Sequence, residues 1–258
     1  MGILGVLAGA VIASGTHVVD HWQNVVIASL VVILFIAGGN AFNDYVDREI
    51  DKQAHPGRPI PSGEITPKNA LVAGSVVFVL SIIISILLWD PLCILIVIAA
   101  CALMLSYELF LKKRGFIGNI TIAALIGMLF LLGGAAVGHL ESVLIPACMA
   151  AVVNIGREIA KDVQDIGSDE GRSTLPMRIG VKNACTAAVV MFITGVALSI
   201  LPIIMKTFGP LYYIIFAANA VFIYSSFMMY KNARKTQKLC KYAMLIALAA
   251  FILGAVYS

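Results

Sequence analysis

Charge is scarce in this sequence. Only 12% of its 258 residues are Asp, Glu, Lys or Arg, against 60% apolar, and the mean hydropathy is +0.97. A water-soluble domain of this length has no use for so much apolar surface, so that class is excluded and a polytopic, all-α membrane protein is expected. Cysteine is sparse as well: Cys93, Cys101, Cys148, Cys185 and Cys240 stand singly, with no C-x-x-C pair. That pattern offers neither a disulfide framework nor a thiolate zinc site and leaves reduced packing residues. No G-x-x-x-x-G-K-[ST] pattern occurs, which excludes a P-loop. Gly38-Gly39 and Gly133-Gly134 read instead as close helix packing. A net charge of +4 gives no reason to expect nucleic acid, and no obligate protein partner is evident.

What is present is a series of apolar runs. They predict nine membrane helices at about 2–15, 24–42, 67–88, 91–107, 117–137, 142–160, 183–204, 209–230 and 240–257. The first is short for a span of about 20 residues and has no charged flank or cleavage-type site, so it reads as a shortened span rather than a signal peptide. Asp90-Pro91 predicts a tight break between the third and fourth helices.

The connections differ sharply in basic charge. Residues 16–23, 89–91 and 138–141 contain no Lys or Arg, and the loop near Lys206 contains one. With nine spans, seventeen of the eighteen basic residues fall on one side. The positive-inside rule makes that side cytoplasmic. The amino terminus is then expected inside and the carboxyl terminus outside, with His17, His21 and His139 on the outer side, away from any chemistry at the inner face. Multi-pass insertion in the plasma membrane is the expected location.

On the basic side lie two related acidic stretches. Asn43-Asp44-Tyr45-Val46-Asp47-Arg48-Glu49-Ile50-Asp51 and Lys161-Asp162-Val163-Gln164-Asp165-Ile166-Gly167-Ser168-Asp169 each follow an apolar run. If both are helical, their aspartates fall at i, i+3 and i+7 on one face, over roughly 10 Å. Like charges so placed repel, and near a membrane charges are expensive and usually functional. A shared cation would remove the conflict. Each ladder leads into a turn-rich loop with one arginine: His55-Pro56-Gly57-Arg58-Pro59-Ile60-Pro61-Ser62-Gly63, and Gly171-Arg172-Ser173-Thr174-Leu175-Pro176. The repeated order divides the single domain, 1–258, into two pseudo-repeated halves of about 1–115 and 116–258. Between the ladders, Tyr107-Glu108-Leu109-Phe110-Leu111-Lys112-Lys113-Arg114 closes the fourth predicted helix with a basic cluster. Carboxylates beside Lys and Arg fit a metal–diphosphate: hard oxygens for Mg²⁺, cations for phosphate oxygens. One ladder alone is equally well explained as a solvated helix end; two in corresponding places are not.

At these residues the sequence resembles the UbiA-type intramembrane prenyltransferases. The resemblance is carried by Asn43-Asp44-x-x-Asp47-x-x-x-Asp51, the Arg58-Pro-Ile-Pro-Ser-Gly loop, the Tyr107…Lys112 segment, and Asp162-x-x-Asp165-x-x-x-Asp169 followed by Gly-Arg-Ser-Thr-Leu-Pro. The Arg-Pro segment that members carry at the first helix is missing. The resemblance implies nine transmembrane helices around a central cavity, with both aspartate motifs at the cytoplasmic face. It implies one Mg²⁺ on Asn43, Asp44, Asp47 and Asp51 and a second on Asp162, Asp165 and Asp169. Arg58, Lys112, Lys161, Arg172 and Tyr107 are implied substrate contacts, and Asp47, Asp165, Lys112 and Tyr107 the residues closest to the chemistry.

Length and the wording of both loops are most similar to the short archaeal members. These imply transfer of a geranylgeranyl group from geranylgeranyl diphosphate to the hydroxyl of geranylgeranylglyceryl phosphate, a lipid-phosphate acceptor, among membrane lipids. The alternatives are an aromatic acceptor at the same site (quinone or tetrapyrrole-related) or, in a different class, a divalent-cation transporter. Against transport, the acids cluster at one membrane face.

Overall fold

The computed structural model describes residues 2–112, 114–166 and 173–258. Its described residues form nine long helices and two single-turn ones, with no strand among them. They are α1 (Gly2–Ser14), α2 (Trp22–Ala54), α3 (Pro67–Ser85), α4 (Pro91–Ser106), α5 (Phe116–Ala136), α6 (Leu144–Gln164), the short α7 (Leu175–Ile179), α8 (Val181–Leu198), the short α9 (Leu201–Ile204), α10 (Ile215–Met229) and α11 (Ala233–Val256). The nine predicted runs all recur as long helices. Among the described residues eight stretches are long and apolar enough to cross a membrane, the first being Gly2–Ala54, which contains both α1 and α2. The fold is therefore that of a multi-pass membrane protein. Within that first stretch the chain doubles back: Gly2 lies against Val32 and Ile36, and Ala10 packs with Val25. The turn falls at Gly15, whose φ of +56° is left-handed and suits a residue without a Cβ.

The outer surface confirms what the composition requires. On α3, Val72, Val76, Val79 and Ile83 recur every three or four residues and all are exposed. A helix facing water would put polar side chains there. Facing lipid, it need not.

Helix starts follow local chemistry. Thr66 accepts the Asn69 N–H at 3.2 Å ahead of Pro67, and Asp90 accepts the Leu92 N–H at 2.8 Å ahead of Pro91. The expected break at Asp90-Pro91 is thus a capped helix start. Four cysteines are buried and Cys148 is exposed; all are free.

With no hydrophobic drive between helices in lipid, association depends on close contact. The α1–α5 pair achieves it with glycine. A Cβ on Gly9 would lie 2.5 Å from the Phe130 carbonyl oxygen, and one on Gly133 would collide with the Val6 carbonyl oxygen. Gly38 and Gly39 face Phe78 and Met104 in the same manner, so both glycine pairs serve packing. Gly133→Val should force α1 off α5 and destabilise the protein by about 1–3 kcal/mol, measured as a lower midpoint of thermal unfolding in detergent.

The largest departure from the predicted boundaries falls at the first aspartate ladder. The apolar run behind α2 ends at Phe42, but the helix continues to Ala54. At about 1.5 Å per residue, 33 residues reach roughly 50 Å, well beyond a hydrocarbon core of about 30 Å. The first aspartate ladder is carried on that extension.

Candidate active site

Because α2 stays helical through Asp51, Asn43, Asp47 and Asp51 recur every four residues along one face, with Asp44 beside them. Two cations from elsewhere in the chain meet this face. Lys112 Nζ donates to Asp47 Oδ2 at 2.6 Å and to Glu108 Oε2 at 3.1 Å. Arg58 donates to Asp51 Oδ2 at 2.6 Å and reaches Asp44 Oδ1 at 3.5 Å. The exposure is graded: the Asp44 side chain is 33% exposed, Asp47 19%, and Asp51 only 5%. Lys112 is 8% exposed, so its charge is almost wholly withdrawn from water and must be matched by protein.

Backbone geometry brings each cation in. The loop after α2 folds back, with the Arg58 N–H on the His55 carbonyl and the Ser62 N–H on the Arg58 carbonyl, and Ile60 buries beneath it. At the end of α4 the chain opens into a π-helical turn, Tyr107–Leu111, with the Lys112 N–H on the Tyr107 carbonyl at 2.8 Å. Such turns are rare and cluster at functional sites, because the extra residue re-aims the side chains that follow. Here it carries Glu108 and Lys112 to α2. Asn43 completes the group: its Nδ2 donates to Glu108 Oε2 at 3.1 Å and Asp47 Oδ2 at 3.3 Å.

The second motif is arranged differently. Helix α6 ends at Gln164, Asp165 is its C-cap with φ −93° and ψ 6°, and its N–H bonds the Lys161 carbonyl. Of the face that a helical motif would make, α6 therefore carries Asp162, and Asp165 caps its end. Turn formers, Gly167 and Ser168, follow directly in the sequence. Asp169 and Arg172 lie outside the described residues. Asp162 accepts from Asn119 Nδ2 at 2.8 Å, and Asp165 Oδ1 accepts from Gln164 at 3.1 Å. Lys161 is exposed.

The two motifs are linked through the start of α5. A Cβ on Gly118 would stand 3.5 Å from the Tyr107 ring, so Tyr107 packs on the turn of α5 from which Asn119 reaches Asp162. Gly115, at φ +62°, lies against the Ser173 carbonyl that follows the second motif. Glu108 and Asn119 are the two site residues that the sequence reading does not single out. For Glu108 the available signal is its spacing four residues before Lys112; for Asn119 it is a lone amide in the first turn of an apolar helix.

A cavity of about 560 Å³ lies at the other end of the molecule, lined by His17, Asp20, His21, His139 and Thr207 among others. Along α2, Asp47 is roughly 37 Å from Trp22 at about 1.5 Å per residue, so these histidines are remote from the aspartates.

Among the described residues no three His, Cys, Asp or Glu stand together as a ready metal cage. Asp47 and Asp51 are instead paired with Lys112 and Arg58. The donor set nevertheless fits Mg²⁺, which takes hard oxygens and binds through one or two carboxylates plus water and substrate phosphate rather than an all-protein cage.

Comparison with known proteins decides the family. The UbiA prenyltransferase family model matches residues 3–249. The chain belongs to this family. It is thus an intramembrane prenyltransferase. It is 36% identical to the digeranylgeranylglyceryl phosphate synthase of Thermococcus kodakarensis, over 98% of this chain and 92% of that one. A solved structure concerned with digeranylgeranylglyceryl phosphate synthase in membranes superposes with a TM-score of 0.87 at 32% identity, covering 99% of this chain and 93% of that chain. A UbiA homologue from Archaeoglobus fulgidus, solved with GPP and Mg²⁺, shares the fold with a TM-score of 0.75 at 14% identity, covering 100% and 95%.

Proposed function

We propose that this UbiA prenyltransferase transfers a geranylgeranyl group from geranylgeranyl diphosphate to the free hydroxyl of geranylgeranylglyceryl phosphate, giving the ether-linked precursor of an archaeal membrane lipid. The observation that carries this reading is the 36% identity, over nearly the whole of both chains, to a digeranylgeranylglyceryl phosphate synthase. The site lies at the cytoplasmic face of nine transmembrane helices, with the prenyl tail among apolar side chains.

In this reading Asn43, Asp44, Asp47 and Asp51 hold one Mg²⁺ through their oxygens, and Asp162, Asp165 and Asp169 hold a second. Bound there, the ions neutralise the charge that builds on the departing diphosphate. Lys112 and Arg58 already stand on the aspartate face and turn to the phosphate oxygens, the natural partners of such cations. The allylic C–O bond breaks, and its electron pair leaves with the diphosphate. The Tyr107 ring offers a π face to the cationic carbon. The glycerol oxygen then forms the new C–O bond and releases its proton. Asn119 fixes the orientation of Asp162 by donating to it. Arg172 and Lys161 are assigned to the phosphate of the acceptor. Apolar helices keep water from capturing the cation first.

Purified protein given Mg²⁺, geranylgeranyl diphosphate and an equimolar mixture of geranylgeranylglyceryl phosphate and an aromatic acceptor should yield the ether lipid by mass analysis. Prenylation of the aromatic ring alone would assign the other acceptor class.

A further inference from the structure

Glu108 has no part in the chemistry described so far, yet it is only 6% exposed and ends on two residues of the site. A buried carboxylate is costly unless paired, and this one is paired on both counts: Lys112 Nζ and Asn43 Nδ2 each lie 3.1 Å from the same oxygen, Oε2. We propose that Glu108 is a positioning residue that sets the divalent-cation affinity of the first aspartate motif, acting through Asn43 and Lys112. This rests on the reading of that motif as the metal–diphosphate site.

Two pieces of geometry carry it. The first is the amide of Asn43. Its only hard donor is the carbonyl oxygen, and its NH₂ is occupied by Glu108 and Asp47. By taking that NH₂, Glu108 fixes which way the amide faces and so where its Oδ1 is offered to a cation. The second is charge. Asp47 and Glu108 share the Lys112 ammonium, so the group of three carries a net charge of −1. A cation arriving at Asp47 displaces Lys112, and Glu108 retains it beside the site, ready for phosphate. Without the Glu108 charge, Lys112 belongs to Asp47 alone. The group is then neutral and the ammonium competes directly with the metal.

The test uses the full chain in detergent, with Mn²⁺ binding followed by electron paramagnetic resonance in the absence of substrate and Mg²⁺ half-saturation of turnover measured separately. Glu108→Gln keeps the shape and the acceptor oxygen but removes the charge. It should raise the Mn²⁺ dissociation constant and the Mg²⁺ half-saturation together by about tenfold. Glu108→Asp, which keeps the charge, should recover most of the affinity. The double variant Glu108→Gln/Lys112→Gln restores the net charge of −1 and should bind Mn²⁺ more tightly than Glu108→Gln alone, whatever its turnover. Unchanged Mn²⁺ affinity in Glu108→Gln would overturn the proposal. Should Glu108→Gln fail to fold, the comparison passes to Glu108→Asp and the double variant: tight Mn²⁺ binding in both supports the proposal, and weak binding in both overturns it. Wild-type protein that binds no Mn²⁺ would overturn the motif reading as well. Mn²⁺ binding with the expected shifts but without ether-lipid product would remove only the acceptor assignment.

Discussion

Asp47→Ala is expected to reduce prenyl transfer by about a thousandfold, the upper range for loss of one group that stabilises developing charge. The expectation follows from where Asp47 sits. It is the middle member of the Asn43–Asp47–Asp51 face, partly exposed, and it holds Lys112, the cation proposed to turn to phosphate. Its loss removes an oxygen of the proposed metal site and leaves Lys112 on Glu108 alone. Because Lys112 keeps that carboxylate, the buried ammonium is not orphaned, and the cost in stability should stay near 1–3 kcal/mol, roughly one lost charged hydrogen bond. A size-exclusion profile and melting curve close to wild type, with turnover lost, is the expected pair of results. An active Asp47→Ala would remove the first motif from the reaction.

Lys112→Met should act in the opposite direction on metal and substrate, which makes it the more discriminating variant. The methionine fills the space of the stem but carries no charge. Asp47 and Glu108 then face each other without their shared ammonium, the group moves to a net charge of −2, and the attraction for a divalent cation grows. The diphosphate, however, loses one of the cations proposed to hold it. Turnover should fall by about a hundredfold, while the Mg²⁺ concentration needed for half-maximal rate falls rather than rises. An increase in that concentration would show that Lys112 supports the metal site and does not compete with it.

Much of this molecule is legible in the order of its residues, for reasons particular to membranes. A helix in lipid must be apolar over its whole span, so the nine long helices stand out as runs, and Asp90-Pro91 marks its break because capping and proline act locally. The ends of helices on the motif side are less legible. Predicted helix 24–42 stops where hydrophobicity stops, whereas α2 runs to Ala54, sustained past the lipid by backbone hydrogen bonds. At the second motif predicted helix 142–160 is exceeded as well, though by less: α6 reaches Gln164 and carries Asp162 before Gly167 and Ser168 follow in the sequence. The pairings at the site are the least legible. Asn43 and Glu108 are 65 residues apart and Asn119 and Asp162 are 43 apart, so only the packing of α2, α4, α5 and α6 brings them together. A run of hydropathy cannot reveal such a pair, and the π turn that aims Glu108 and Lys112 leaves no pattern of its own in the sequence.

The measurement that bears most directly on the whole account is product formation by the purified protein with both lipid substrates, before and after a chelator removes divalent metal. Ether product and inorganic diphosphate should appear in equal amounts with Mg²⁺, cease on chelation, and return when Mg²⁺ is restored. Product that persists at the same rate with the metal removed, or metal flux through liposomes with no product at all, would contradict it.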